Sequence, residues 1–384
     1  MNNKNEINIA LDAAAKPITV ESAQQLEQVL ASLLECETIG IDTEFVRERT
    51  WRADLGLVQL SDGKTVWLVD PLKIGTIEPL SILLNRQDIV KILHAPPEDL
   101  DVLLYGTGAV PDPLFDTQIA CAMLGQPLQM GYHTTVEWLL DIVIDKGETR
   151  SNWCHRPLRE AQIKYAALDV CLLPMMYRQL TQKLQELNRE SWLAEDCARL
   201  LNKARTPADP EQCWRRINGH NRLDGASLAI LQALATWRDN EAEKRNLARG
   251  FVIKDNDLMT IANKMPRNSA DLSKLDKLHP RAIQRHGTTL IAIMDQVIQK
   301  GLIARIPESI GPEHRKLMGK MRQVVKDKAS ELSVDPALLA SRRELESLIL
   351  SAEGEPLPER FLGWRKSIIT DELIALKNDH PPAN

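Results

Sequence analysis

The segment Ile39–Phe45 constrains the fold more than any other stretch, because a strand pattern here carries two acidic side chains. Side chains alternate between the two faces of a strand, so Asp42 and Glu44 project from the same face. Neighbouring carboxylates repel each other and resist burial. A core strand that carries them needs a compensating cation, and hard divalent metals prefer oxygen ligands. A solvated face on an edge strand is the alternative that this spacing leaves open.

The first 205 residues show the periodicities of a mixed α/β sheet. Ser22 precedes a helical pattern that runs to residue 35, and two further strand patterns follow the acidic strand at 55–60 and 65–69. The Asp62-Gly63 turn signal and the short links predict an antiparallel meander. Strand patterns at 89–93 and 114–115 then alternate with helical ones, which predicts parallel strands. The remaining predicted helices lie near residues 78–84 and 97–104, at 132–145 and at 158–187. Another helix is predicted to begin at residue 117, and a further helical stretch after residue 187 continues to about residue 203.

The segment Thr206–Pro210 is the clearest domain boundary, with two prolines and no apolar side chain larger than alanine. Beyond it, strand patterns fade and helical patterns dominate, with Ser341 and Glu344 forming a capping-box signature. We therefore predict an α/β domain over residues 1–205, followed by all-α domains over 210–300 and 301–384.

Composition excludes several classes of protein. No run approaches the ~18 uncharged apolar residues of a membrane helix, and the N-terminus lacks the layout of a secretion signal. Six cysteines without a Cys-x-x-Cys pair indicate a reducing cytoplasm and no zinc site. Residues 1–205 carry nine more acidic than basic residues, whereas 206–384 carry four more basic than acidic ones. This asymmetry suits a metal-dependent site joined to a polyanion-binding module, with solvated helix faces as the alternative.

Three more residues complete a candidate constellation. Asp99 follows a predicted buried strand in the first turn of a helix, where an acid also complements the helix dipole. Tyr165 and Asp169 are four residues apart in a helix and share a face. A tyrosine packed on the sheet with a locally bonded hydroxyl is the alternative for that pair. Each residue alone therefore has a structural explanation.

Together these residues and their neighbours occur in the order of a known family pattern. The matching segments resemble ribonuclease D, a 3′→5′ exoribonuclease of the DEDD superfamily, tyrosine subclass, with a ribonuclease H-like fold; they are Asp42–Thr50, His94–Leu100, Phe115–Gln118, Trp153–Leu158 and Tyr165–Asp169. The resemblance covers residues 17–205, and the helical units resemble HRDC domains. The expected fold is a ribonuclease H-like mixed sheet, with a meander plus parallel strands, followed by all-α HRDC-type domains.

The resemblance implies roles for five residues. Asp42, Glu44, Asp99 and Asp169 would hold two divalent ions, Mg²⁺ or Mn²⁺, that stabilise the attacking and leaving oxygens of phosphoryl transfer. Asp42 would bridge the ions, and Tyr165 would orient the attacking water by a hydrogen bond, because a free phenol is too weak a base at neutral pH. The expected product is a 5′-nucleotide.

Four further residues are predicted substrate contacts, each with a structural alternative. Phe45 would stack on the terminal base or else belong to the core. His94 would touch a phosphate or ribose, or else make a structural hydrogen bond. Lys146 and Arg150 would contact phosphates, or else be solvated loop charges.

The leading hypothesis is a cytoplasmic, metal-dependent 3′→5′ exoribonuclease that acts on RNA with a free 3′ end. The resemblance implies a role in tRNA 3′ maturation, and a monomer is favoured. A DNA 3′→5′ exonuclease and a non-catalytic RNA-binding scaffold are the alternatives. The site residues do not discriminate RNA from DNA, because no 2′-hydroxyl reader is recognisable.

Overall fold

The computed structural model describes residues 3–145, 147, 151–275, 278, 280–306, 310–352 and 355–379. The chain divides into two compact units: one comprises Met1–Val46, Leu55–Arg205 and Ser309–Asn384, the other Arg47–Asp54 and Thr206–Glu308. Within the described residues, no helix is both long and apolar enough to cross a bilayer. The division into three domains, at 1–205, 210–300 and 301–384, stays a prediction.

The N-terminal part of the first unit alternates strands and helices. Its elements in chain order are α1 (Asn3–Ala15), β1 (Ile18–Val20), α2 (Ala23–Leu33), β2 (Thr38–Val46), β3 (Asp54–Ser61), β4 (Val66–Val69), α3 (Pro71–Ile74), α4 (Leu80–Leu84), β5 (Val90–Leu93), α5 (Pro97–Thr107), β6 (Leu114–Asp116), α6 (Thr117–Met123), α7 (Tyr132–Leu140), α8 (Glu160–Cys171), α9 (Leu173–Glu186) and α10 (Glu190–Arg205). The Ser22 hydroxyl caps α2 by accepting from the Gln25 N–H, as predicted.

Six strands form one mixed sheet in the order β1-β4-β3-β2-β5-β6. β3 and β4 are antiparallel, whereas β1 pairs with β4, β2 with β5 and β5 with β6 in parallel. The predicted mixed α/β sheet with helical segments after it is confirmed. β2 lies inside the sheet, and Ile39 and Ile41 are fully buried. The edge-strand alternative for the acidic segment is therefore wrong.

Several elements differ from the sequence prediction. α1 and β1 were not predicted: α1 buries Ile7 and Ala10, and β1 depends on a non-local pairing with β4. The single helix predicted over 158–187 is two helices that meet at Leu172, because Pro174 in the first turn of α9 lacks an N–H for a continuous helix. The helix predicted over 132–145 ends at Leu140 instead, before a left-handed Asp141.

The second unit is helical over its main segment. Its helices are α11 (Gly225–Lys244), α12 (Arg249–Val252), α13 (Asp255–Lys264), α14 (Ser269–Ser273) and α15 (Pro280–Gln299). The segment Arg47–Asp54 belongs to this unit, with the Arg249 guanidinium 4.1 Å above the Trp51 ring and the Ala248 N–H donating to the Arg49 carbonyl.

The C-terminal segment returns to the first unit and shares its core. Its helices are α16 (Arg315–Leu332), α17 (Pro336–Leu339), α18 (Arg342–Leu350) and α19 (Asp371–Asn378). The predicted capping box of Ser341 and Glu344 is present at the start of α18. Trp364 stacks on Trp192 of α10 with centroids 4.4 Å apart. Beside this stack, Arg365 forms a bidentate ion pair with the buried Asp196 of α10.

Candidate active site

The central strand β2 presents Asp42 and Glu44 at one end of the sheet, next to the junction of α8 and α9. Gly40 makes this close approach possible. A Cβ added at Gly40 would lie 2.9 Å from both the Leu173 Cβ and the Val170 carbonyl oxygen. Real Cβ atoms do not tolerate such contacts, so glycine lets the end of α8 lie against β2. Asp169 on α8 is thereby brought to the acidic strand.

Asp169 completes a cluster with the two acids of β2. One carboxylate oxygen each from Asp42, Glu44 and Asp169 lies within 4.8 Å of the other two, a spacing that can hold a metal ion. All three side chains are partly exposed to a cavity of about 610 Å³. Tyr165, one turn before Asp169, lines the same cavity, as its predicted helix face requires.

Asp99 reaches the cavity from the first turn of α5. Its carboxylate is buried and accepts a hydrogen bond from the Thr43 hydroxyl, the residue between the two acids of β2. This bond ties α5 to the acidic strand. The structure therefore brings together all four predicted carboxylates and Tyr165.

The electrostatics of the cluster disfavour charge when no cation is bound. Burial, with the charges of Asp99 and Asp169 next, raises the pKa of Asp42 well above its usual value. Burial followed by the same two neighbours raises the pKa of Glu44 to about 9. Burial raises the pKa of Asp99 and of Asp169 to about 7, an effect that hydrogen bonds from Thr43 and Tyr165 oppose. The fold thus places four acids together at a position where the ionised form of each carboxyl group is unfavourable.

The donor set fits a divalent cation. Every member is a carboxylate, which is the ligand type that Mg²⁺ and Mn²⁺ prefer. The Asp169 Oδ1 atom is buried, and no hydrogen-bond donor among the described residues reaches it. An orphaned buried oxygen beside two further acids is explained by a bound cation, which would supply its missing partner. The cluster is consistent with divalent-metal use.

The predicted substrate residues have different surroundings. Phe45 lines the cavity at the end of β2 and is not fully buried. His94 also lines it, but its Nε2 donates to the Met130 carbonyl at 3.0 Å and its Nδ1 lies 2.8 Å from the Thr117 hydroxyl. Burial lowers the pKa of His94 to about 4, so the ring is neutral at pH 7 and both its nitrogens are engaged. Lys146 and Arg150 lie outside the described residues.

Sequence reasoning gave no role to Thr43, Tyr132 and His133, which are among the residues that line the cavity. The Thr43 hydroxyl holds Asp99, although nothing in the sequence around a β-branched residue of a strand indicates this role. Tyr132 and His133, at the start of α7, pack beside α8, and the Tyr132 hydroxyl donates to the Leu168 carbonyl at 2.9 Å. No local pattern identifies these two residues, because the contact depends on how α7 packs on α8.

Comparison with known proteins agrees with this geometry. A family model described as a 3′-5′ exonuclease matches residues 17–185, and a model of the HRDC domain matches 227–294. The chain is 38% identical to ribonuclease D of Pseudomonas paraeruginosa, over 88% of this chain and 91% of that protein. It is 35% identical to ribonuclease D of Escherichia coli K12, over 92% of this chain and 98% of that one.

The chain belongs to the ribonuclease D family. The crystal structure of Escherichia coli RNase D, described as an exoribonuclease involved in structured RNA processing, superposes with a TM-score of 0.89 at 32% identity, covering 95% of this chain and all of that one. The protein is therefore a 3′→5′ exoribonuclease, and the region that matches the exonuclease model contains all five predicted functional residues. The DNA exonuclease and scaffold alternatives are not favoured.

Proposed function

We propose that this ribonuclease D family enzyme removes 5′-nucleotides from RNA 3′ ends with two divalent ions, Mg²⁺ or Mn²⁺, held by Asp42, Glu44, Asp99 and Asp169. The observation that carries the proposal is the convergence of three carboxylates within 4.8 Å, one of them with an orphaned buried oxygen. When bound, such ions polarise the phosphate and activate water. Asp42, whose pKa is raised by burial and then by the charges of Asp99, Asp169 and Glu44, lies close to all three other acids and would be central to holding the ions.

The protein's own side chains would supply orientation around the reacting phosphate. Phe45, at the edge of the cavity, would stack on the terminal base, which needs no sequence preference. Thr43 would hold Asp99 in place, and neutral His94 would brace the cavity wall through its two hydrogen bonds. Among the candidate substrate contacts that the structure describes, Phe45 is thus the residue that we expect to touch RNA, and phosphate contacts by Lys146 and Arg150 stay predictions.

We propose precursors of tRNA as the natural substrate, with the protein acting as a monomer in the cytoplasm. The family name and the structured-RNA processing described for the Escherichia coli relative support this substrate class. The six cysteines, none of which forms a disulfide, support a reducing compartment.

The proposed reaction is tested with a 5′-labelled RNA and a DNA strand of the same sequence. With Mg²⁺ or Mn²⁺ we expect a ladder that shortens from the 3′ end of the RNA, and EDTA should abolish it because the carboxylates alone cannot activate water. Restoring the metal in excess should restore the ladder. Undiminished RNA shortening in EDTA would exclude the metal mechanism, and preferential digestion of the DNA would exclude the substrate class.

Tyr165→Phe tests the role of the phenol. Burial, followed by the charge of Asp169, raises the pKa of Tyr165 far above its usual value, so the hydroxyl stays protonated and acts as a hydrogen-bonding group. We expect kcat to fall about 10- to 100-fold, with KM nearly unchanged, because water is bound but poorly oriented. Tyr105→Phe, which alters an exposed tyrosine of α5, is the control and should keep wild-type kcat. A wild-type kcat in the Tyr165→Phe variant would show that the Tyr165 hydroxyl has no role in the reaction.

A further inference from the structure

Tyr165 is held on several sides by residues outside its own helix. Its ring lies nearly parallel to that of His133, with centroids 6.4 Å apart and 28° between the planes. Trp153 flanks it with a centroid distance of 6.1 Å and an angle of 37°. The Gly147 backbone presses on the ring so closely that an added Cβ would lie 2.6 Å from the Tyr165 Cδ2. Contacts with His133, Trp153 and Gly147 therefore define the position of the Tyr165 ring, and we call these three residues the seat of Tyr165.

His133 connects two parts of this seat. Its Nε2 lies 3.0 Å from the Asp145 carbonyl oxygen, and because a carbonyl only accepts, Nε2 carries the proton. This hydrogen bond holds the backbone at Asp145, in the segment that follows α7, and Asp145 is two residues before Gly147. A second link from Asp145, an ion pair with Lys164 at 2.8 Å, is solvent-exposed on both sides and contributes little. Among the described residues, the His133 bond is thus the contact that ties Asp145, two residues before Gly147, to the start of α7.

The start of α7 contacts α8 at two successive levels. At the level of Tyr165 the contact is the His133 ring, and near Asp169 it is the Tyr132 hydroxyl bonded to the Leu168 carbonyl. Tyr132 is itself in edge contact with His94, whose nitrogens are both engaged. His133 therefore lies on a helix whose first turn is packed against α8 and His94, and not in a loop.

We propose that His133 is a positioning residue for the exonuclease reaction, which seats the Tyr165 hydroxyl by stacking on its ring and by holding Gly147 against it through the Asp145 carbonyl. This inference rests on the proposed role of Tyr165. A phenol that orients water contributes through where its hydroxyl points, so the rate depends on how the ring is held. His133 need not touch RNA or metal for this role.

Two substitutions at His133 separate its hydrogen bond from its ring. His133→Ala removes both contacts and should lower kcat about 10-fold or more with KM nearly unchanged, since displaced catalytic groups cost rate more than binding. His133→Gln can still donate to the Asp145 carbonyl from a nitrogen at a similar reach, and should recover part of the loss. Gly147→Ala should give a similar kcat defect, and the double variant His133→Ala/Gly147→Ala should fall less than the product of the two single effects. Thr134→Ala, at the next and exposed position of α7, is the matched control.

A spectroscopic measurement tests the same inference without activity. The chain has four tyrosines, so fluorotyrosine labelling should give four ¹⁹F signals, of which Tyr165→Phe identifies one. We expect this signal to shift or broaden in His133→Ala, to lie between the wild-type and His133→Ala positions in His133→Gln, which keeps the hydrogen bond but lacks the ring, and to be unchanged in Thr134→Ala. An unchanged signal with wild-type kcat in His133→Ala overturns the proposal, as does a kcat loss without any change in the signal. If the wild-type protein failed to shorten RNA, the proposed function would be wrong. The ¹⁹F signal of Tyr165 would still show whether His133 positions the Tyr165 ring.

Discussion

Replacing Asp42 by Asn is expected to lower kcat on the 5′-labelled RNA by at least about 1,000-fold, equivalent to about 4 kcal/mol of lost transition-state stabilisation. Asp42 is the acid whose pKa is raised by all three of the other carboxylates, so it faces every member of the cluster. A neutral amide of the same shape keeps the packing but removes charge from the place where cations must bind. Initial rates at saturating Mg²⁺ measure the effect. Asp12→Asn, an exposed acid on α1, should leave kcat unchanged.

The same variant has a second, opposite effect that excludes misfolding as the cause. The cluster carboxyls have pKa values raised to about 7 for Asp99 and Asp169 and about 9 for Glu44, against about 4 in the unfolded chain. A raised acid pKa costs nothing at low pH, and the cost grows as pH rises from about 4 towards 7–9. Metal-free Asp42→Asn should therefore unfold at a higher temperature than wild type at pH 8, with little difference near pH 4. If Asp42→Asn kept wild-type activity, or if its metal-free form unfolded at a lower temperature than wild type at pH 8, the proposed electrostatics of the carboxylate cluster would be wrong.

Removing Asp196 is expected to lower the free energy of unfolding by about 3–5 kcal/mol, because the variant Asp196→Ala leaves a buried guanidinium without its counter-charge. Arg365 is fully buried, and its two N–H groups donate to Asp196 at 2.7 and 2.8 Å. Although burial opposes it, Arg365 holds the pKa of Asp196 below its usual value. The stabilisation is thus present above the unfolded pKa of about 4 and is lost as pH falls through the lower folded value. Urea unfolding at pH 7 measures the loss.

An exposed ion pair on α18, in the same C-terminal segment as Arg365, provides the control for Asp196. Glu346→Ala breaks the pair with Arg342, whose side chain is 77% exposed, and should cost less than about 1 kcal/mol. The double change Asp196→Leu/Arg365→Met should recover part of the loss, because the fully buried charge of Arg365 is removed together with its partner, while Arg199 and Arg360, which also pair with Asp196, are about one-fifth exposed. Equal effects of Asp196→Ala and Glu346→Ala would show that burial adds nothing to the Asp196 pair.

Much of the fold could be predicted because its signals are local. Alternation identified β2, β3 and β4, the Ser22 cap marked the start of α2, and the capping box marked α18. The features that were missed lack such signals. β1 has three residues and depends on its partner β4, and α1 is held by burial of Ile7 and Ala10 rather than by a strong pattern of its own. The helix breaks at Leu172 because Pro174 cannot continue α8, although the helical pattern runs through 158–187.

For the candidate site, the sequence by itself determined the chemistry. The identities and order of Asp42, Glu44, Asp99, Tyr165 and Asp169 specify hard oxygen ligands and a hydrogen-bonding phenol, and the strand and helix periods place each pair on one face. Chemistry of this kind is fixed by residue type and short spacing, which are written in the chain.

Only the tertiary structure decided how these residues meet and what surrounds them. Gly40 admits α8 to the central strand, Thr43 binds Asp99, and His133 with Gly147 encloses the Tyr165 ring. It likewise decided that Asp196 and Arg365, 169 residues apart, form one buried ion pair. These contacts join segments that are distant in the chain, so they depend on packing of whole elements, and no local period or propensity encodes them.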